Sequence, residues 1–133
     1  MRKKLVSVEK GQHATVTVHD SNVILHTAGL NRDIAFKFLA KGQHTIGGLA
    51  RSPDLEEVKE IFDFYKLGQP KKIFIDIVGG DSSDAARGYF SALLNTLKQI
   101  DGGSGTFNIA WKVNNDIHPD FCLLSGEELN FYI

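Results

Sequence analysis

The sequence contains very little cysteine and no long apolar run. Among its 133 residues there is one cysteine, Cys122, and there are three prolines. A single thiol excludes an internal disulfide and any zinc site built from several cysteines. No apolar stretch approaches the roughly 20 residues of a membrane-spanning helix, and none follows the basic first residues as in a signal peptide. We therefore expect a cytoplasmic protein without a membrane span, with secretion lacking a cleaved signal as the alternative.

An excess of charge of one sign is also missing. The 15 lysines and arginines nearly balance the 16 acidic residues, for a net charge of −1, so a broad nucleic-acid-binding surface is not expected. The histidines do not repeat at the spacing of helical metal ligands. His26 and His44 both lie near the segments discussed below, but histidines without a metal are the favoured interpretation. We expect neither a metal nor a cofactor.

Length and composition are typical of one globular domain that spans residues 1–133. Hydrophobic residues make up 42% and charged residues 23%, and a chain of this size buries a core without disulfides. Short alternating or β-branched runs indicate strands. The predicted strands are residues 4–8, 14–18, 23–26, 34–39, 45–50, 71–78, 106–113, 121–124 and 129–133.

Two amphipathic segments predict helices. Ser52 is expected to cap the first helix, with Pro53 as its first helical residue and Gly68 beyond its end. The second helix is expected to begin near residue 82 or 83 and to run to Ile100. Strands on both sides of two helices predict an α+β fold, which is an α/β sandwich of mixed, mostly antiparallel β-sheet with two main helices.

The most informative segments are T-A-G-L-N-R-D, from Thr27 to Asp33, and G-G-L-A-R, which ends at Arg51. In order and spacing they resemble the active-site frame of the chemoreceptor glutamine deamidase family CheD, which reads T-x-G-L-G-S-C and then GG-x-A-H. By this resemblance Thr27 corresponds to the threonine that orients the catalytic histidine. Asp33 stands at the position of the cysteine nucleophile, and Arg51 stands at the position of the histidine base.

A third segment adds to the resemblance. Residues 76–81, D-I-V-G-G-D, precede the second helix and are similar to the strand–GG–helix element of the family. The resemblance covers about the first hundred residues and is weak over the last thirty. It implies the fold of CheD and the related toxin-type cysteine deamidases. It also implies a protein partner, namely a chemoreceptor or a signalling phosphatase.

The two replacements remove the chemistry of the family. There, a cysteine thiolate attacks a glutamine carboxamide, ammonia leaves, and the histidine takes and returns the proton. Arginine stays protonated in proteins and is no general base, and a carboxylate is a poor nucleophile toward an amide. Asp33 and Arg51 are instead expected to form a bidentate ion pair. This pair either joins a strand to the start of a helix or contributes to a ligand-binding cleft.

Several residues around this position are candidates for binding. Asn31 and Arg32 stand where the family has Gly-Ser, so they add bulk near the substrate path. Gly79 and Gly80 precede a helix and could present N–H groups to an anion, although capping of that helix by a side chain of residues 81–83 is the favoured interpretation. The candidate binding residues are Gly29, Asn31, Arg32, Asp33, His44, Arg51, Gly79 and Gly80.

Three hypotheses about function follow. The favoured one is a catalytically inactive CheD-like domain that acts as a protein-binding or regulatory module in chemotaxis or signalling. The second is a hydrolase or amidohydrolase with a rearranged site, which uses Thr27, Asp33, His44 or a relocated nucleophile, Cys122. The third is a structural or oligomerisation domain, which includes self-association. An open cleft at Asp33 would favour binding, whereas a packed ion pair would favour a structural role for the pair.

Overall fold

The computed structural model describes residues 4–17, 23–27, 30, 32–42, 45–66, 70–81, 83–113, 121–124 and 130–132. These residues form nine strands and two helices. In chain order they are β1 (Lys4–Ser7), β2 (His13–Thr17), β3 (Val23–Thr27), β4 (Ile34–Lys41), β5 (Ile46–Arg51), α1 (Leu55–Lys66), β6 (Lys72–Gly79), α2 (Asp84–Asp101), β7 (Phe107–Val113), β8 (Phe121–Leu124) and β9 (Asn130–Tyr132). Neither helix is long and apolar enough to cross a membrane.

The strands form two sheets. The larger has the order β2-β5-β4-β6-β7, and the smaller has the order β1-β3-β8-β9. The pairs β6–β7 and β1–β3 are parallel, and the other neighbouring strands are antiparallel. The predicted α+β class, with mostly antiparallel strands and two helices, is therefore confirmed. The division into two sheets was not predicted, because alternation along a strand shows which residues are buried but not which strand lies beside it.

The central strand β4 separates two apolar layers, and seven of its eight residues are buried. On one face Phe36 and Phe38 pack against the helices, where the Phe62 ring of α1 lies 5.2 Å from that of Phe38. On the other face Ala35 belongs to a second cluster, which includes Leu25 of the smaller sheet. The molecule therefore has three layers, which are the smaller sheet, the larger sheet and the helices.

The first helix begins later than expected. Asp54 caps it, because its Oδ1 accepts from the N–H of Glu56 at 3.2 Å. The prediction that Ser52 is the N-cap is wrong. The Ser52 N–H donates to the carbonyl oxygen of Ile34 at 2.7 Å, and its Oγ accepts from the Ile34 N–H at 3.1 Å. Ser52 thus joins the end of β5 to the start of β4, with a positive φ of 43°.

The second helix lies close to its predicted bounds, since it begins at Asp84, just after the predicted start near residue 82 or 83, and ends at Asp101, one residue after Ile100. Ser83 is its N-cap, and its Oγ accepts from the N–H of Ala86 at 3.3 Å. Gly102 closes the helix in the left-handed conformation, with φ 60°, and donates its N–H to the carbonyl oxygen of Lys98. The Tyr89 hydroxyl donates to the carbonyl oxygen of Pro53 at 2.5 Å. This contact links α2 to the segment that leads into α1.

Candidate functional site

Four strand ends meet at one corner of the molecule. Thr27 ends β3, Arg51 ends β5 and Gly79 ends β6, while Asp33 directly precedes β4. Within the larger sheet, Arg51 lies in register with Ala35 and Gly79 lies in register with Ile34. Sheet pairing therefore brings together residues that are far apart in the chain, and it does so at the positions of the deamidase-like segments.

The predicted ion pair between Asp33 and Arg51 is present. The Arg51 guanidinium donates from Nε to Asp33 Oδ2 at 3.0 Å, and Nη2 lies 2.9 Å from the same oxygen. Nη1 donates to Thr27 Oγ1 at 3.1 Å. Both contacts from the guanidinium to the carboxylate reach one oxygen, rather than one contact to each oxygen as in a fork-to-fork pair. Thr27, Asp33 and Arg51 thus form one hydrogen-bonded cluster.

The cluster is packed rather than open. Thr27 is 2% exposed, and the side chains of Asp33 and Arg51 are 16% and 14% exposed. The other carboxylate oxygen, Oδ1, lies 3.6 Å from Nζ of Lys10, whose side chain is 74% exposed. Arg51, through its contacts with Thr27 and Asp33, joins the ends of β3 and β5 to the start of β4, and this packing favours a structural role for the pair over a ligand-binding one.

Gly79 and Gly80 support the backbone of Asp33. They have φ of 95° and 75°, values that favour glycine. A Cβ on Gly79 would lie only 2.4 Å from the carbonyl oxygen of Asp33. The Gly80 N–H donates to that same oxygen at 2.9 Å. The two glycines therefore allow β6 to end directly against Asp33.

The start of α2 is capped by side chains, as the favoured interpretation predicted. Asp81 Oδ1 accepts from the N–H of Ser83 at 2.9 Å, and Ser83 Oγ accepts from Ala86. The hydrogen bonds from Ser83 hold the pKa of Asp81 below its usual value, and the charge of Arg32 acts in the same direction. Arg32 Nε lies 3.3 Å from Asp81 Oδ2. A role of Gly79 and Gly80 in binding an anion stays a prediction.

Some predicted site residues cannot be placed in this geometry. Gly29, Asn31 and His44 lie outside the described residues. Sequence reasoning in turn missed the contacts of Lys10 with Asp33 and of Asp81 with Arg32. No sequence pattern indicates either contact, because both contacts depend on how separate loops meet in the fold. Within the described part of the chain, no three histidine, cysteine or acidic side chains are grouped so that they could hold a metal ion.

The register of the smaller sheet bears on the relocated-nucleophile hypothesis. Strand β8 runs antiparallel to β3, with Cys122 directly opposite His26 and Phe121 opposite Thr27. Residues directly opposite in such a pair lie close enough to interact. Both strands were predicted from the sequence, but nothing in their patterns indicates that they are neighbours, so this juxtaposition could not have been anticipated.

Comparisons with known proteins do not assign the chain to a family. No protein-family model matches it, and no curated protein matches it either. The resemblance to the CheD frame therefore depends on the three sequence segments and on the place where the fold brings them.

Proposed function

We propose that the chain is a catalytically inactive CheD-like domain that acts as a protein-binding or regulatory module. The observation that supports this proposal is the contact of Arg51 with both Thr27 and Asp33. These three residues stand at the positions of the orienting threonine, the nucleophile and the base. The Arg51 guanidinium, at the position of the base, donates hydrogen bonds to the side chains at the other two positions. A cytoplasmic location and a place in chemotaxis or signalling belong to the same proposal.

This arrangement gives no route to deamidation. A protonated guanidinium cannot take a proton from a nucleophile, and the Asp33 oxygen that it contacts is engaged in a charge-assisted hydrogen bond. The small exposure of both side chains leaves little room for a glutamine carboxamide. The cluster therefore connects strand ends and does not offer a binding site itself. A partner would be bound by groups around it.

Two exposed basic side chains lie beside the cluster. Lys10 and Arg32 have side chains that are 74% and 75% exposed, and they contact Asp33 and Asp81 respectively. We call these two residues the basic rim. Exposed charges at the edge of an interface direct association and partner choice. The basic rim is thus the surface through which the proposed module would meet a partner with acidic groups.

We expect the protein to bind a chemoreceptor cytoplasmic fragment or a signalling phosphatase without releasing ammonia. Biolayer interferometry measures binding, while an ammonia assay and the mass gain of deamidation measure chemistry in the same mixture. Charge reversal of the basic rim, Lys10→Glu with Arg32→Glu, is expected to weaken binding by about tenfold. The control is Arg87→Glu with Lys98→Glu, which makes the same charge change on exposed positions of α2.

Two results would contradict this proposal. If neither partner binds, the partner class implied by the resemblance is wrong. If ammonia is released, the domain is an enzyme. Loss of that release in Cys122→Ala and in His26→Gln would favour the second candidate function, a hydrolase with a rearranged thiol–imidazole pair. That candidate is supported by the position of Cys122 opposite His26.

The resemblance itself is tested by restoring the reactive residues. Asp33→Cys with Arg51→His should place a thiol beside an imidazole, which lowers the thiol pKa and speeds alkylation by iodoacetamide, by about tenfold near neutral pH. The matched control, Asp33→Cys with Arg51→Gln, carries no cation. Mass spectrometry of the labelled peptide separates the new thiol from Cys122. Equal labelling rates in the two variants would show that Thr27, Asp33 and Arg51 do not reproduce the frame.

A further inference from the structure

A groove lies away from the basic rim, on the face of the larger sheet opposite the helices. It has a volume of about 420 Å³, and its floor includes Leu39 of β4, Phe74 of β6 and Ala110 of β7. Asp76 and Asn108 also line it. Asn108 and Ala110 are exposed, so the groove opens directly beside β7. It therefore has an apolar floor with polar groups placed along it.

Strand β7 is the edge of this sheet in the part of the chain that the structure describes. It runs parallel to β6, where the Ile73 N–H donates to the carbonyl oxygen of Thr106 and Ile73 is in register with Phe107. In a parallel ladder, alternate residues direct their backbone groups toward the partner strand. The backbone groups of Asn108 and Ala110 thus form hydrogen bonds with β6, while those of Ile109 and Trp111 point away from it.

Apolar surface is available on both sides of this edge. Trp111 is 52% exposed, and its ring lies 5.9 Å from that of Phe90 on the helical side. On the other side lie Phe74 and Ala110 in the groove. Because side chains of a strand alternate between faces, a strand added beside β7 would place one set on the groove and the other near Trp111.

The charge along the groove is not uniform. Lys41 lines the groove. A second, neighbouring hollow at the start of β6 shares Lys41 and Phe74 with the groove, and Lys71 and Lys72 also line it. All three lysines are exposed, and Nζ of Lys41 lies 5.3 Å from the centre of the Phe74 ring. We call this the lysine end. The carboxylate of Asp76 lines the groove farther along β6, so an acidic ligand group is favoured only at the lysine end.

We propose that the outer edge of β7 and its groove bind an extended peptide by strand addition. The peptide runs antiparallel to β7, with apolar side chains at alternate positions and acidic side chains at its C-terminal end. Main-chain hydrogen bonds to Ile109 and Trp111 provide the pairing, as in other cases of β-strand addition. The lysine end selects the acidic residues, because antiparallel pairing places the peptide C-terminus beside the start of β7.

A second copy of the chain fits this edge less well. The sequence of β7, F-N-I-A-W-K-V, contains no acidic residue. Pairing of β7 with another β7 would therefore bring no carboxylate from that strand to the lysine end. The charge of the groove instead favours a different, acidic segment. This inference uses other residues than the basic rim, so it can fail or succeed independently of the proposed function.

Fluorescence anisotropy with the full-length protein tests this inference. The probe is a labelled peptide of alternating valine and threonine that ends in three glutamates, and its matched control ends in three glutamines. We expect the glutamate peptide to bind at least about tenfold more tightly, with an advantage that falls as salt is added. Lys71→Glu with Lys72→Glu should remove this advantage, whereas Arg87→Glu with Lys98→Glu should preserve it.

Strand pairing is tested separately from charge. Trp111→Pro removes an outward N–H, while the matched Trp111→Thr removes the ring but keeps that donor. The proline variant should bind the peptide less tightly than the threonine variant. Circular dichroism confirms that both are folded. Failure of the glutamate peptide to bind, equal binding of both peptides, or equal affinity of the two Trp111 variants would overturn the proposal. So would a dimer in sedimentation that only Trp111→Pro dissociates, since a second copy would then occupy the edge.

Discussion

Replacing either Asp33 or Arg51 by alanine is expected to lower the free energy of unfolding by about 3 kcal/mol, because each single variant leaves the other charge mostly buried without its partner. Arg51→Ala also removes the hydrogen bond to Thr27. The double variant should lose less than the sum of the two single variants, since the charge that then remains at this corner, on Lys10, is exposed to solvent. Urea denaturation of the four proteins in the cycle measures the coupling.

The control is a second double-variant cycle on an exposed ion pair. Glu56 and Lys59 lie one turn apart on α1, with Nζ and Oε1 3.2 Å apart, and such surface pairs contribute below about 1 kcal/mol. The Asp33–Arg51 coupling should be clearly larger. Small, additive effects at Asp33 and Arg51, similar to those at Glu56 and Lys59, would show that the pair does not stabilise this corner.

The positions of the strands and helices were predictable because local patterns determine them. The second helix shows this best. The Ser83 hydroxyl caps its start, and Gly102, which lacks a Cβ, adopts the left-handed conformation at its end. Ser52 shows the limit of the same rule. A serine before a proline and acidic residues is typical of an N-cap, but here its hydroxyl bonds the backbone of Ile34. A long-range contact overrides the local preference.

The ion pair at the candidate site was predictable, because Asp33 and Arg51 carry opposite charges and stand at the two positions that correspond to the family's nucleophile and base. The pairing of Asp33 with Arg51 followed from the resemblance and from charge. Its packing did not, because burial depends on how the two sheets and the loops meet. The pairing of Cys122 with His26 likewise depends on the order of strands in the smaller sheet. Strand order is set by contacts between distant segments, and alternation along one strand contains no information about it.

These observations separate two roles at one corner of the fold. The partly buried cluster of Thr27, Asp33 and Arg51 joins strand ends, whereas Lys10 and Arg32 are exposed and form the basic rim of the proposed binding module. A change in the cluster should therefore alter stability first. A change in the basic rim should alter binding with little effect on the free energy of unfolding, because exposed ion pairs contribute little.

Gly79→Ala is expected to destabilise the protein by about 3 kcal/mol or more, for two reasons that add. The φ of 95° is unfavourable for any residue with a Cβ, at a cost of about 1–2 kcal/mol. The new Cβ would also lie 2.4 Å from the carbonyl oxygen of Asp33, and overpacking costs about 1–3 kcal/mol more. Because the obstacle is backbone, relief requires β6 to move away from Asp33. Thermal and urea denaturation measure the loss.

Alanine substitutions at two other glycines serve as controls that separate the backbone cost from the packing cost. Gly103 has φ 77°, and a Cβ added there would have no neighbouring atom within 4 Å, so Gly103→Ala should show the backbone cost of about 1 kcal/mol alone. Gly88 lies within α2 with free space around it and no positive φ. Gly88→Ala should therefore stabilise the protein by roughly 0.5–1 kcal/mol. If Gly79→Ala costs no more than Gly103→Ala, β6 does not end against Asp33, and the close packing of this corner is wrong.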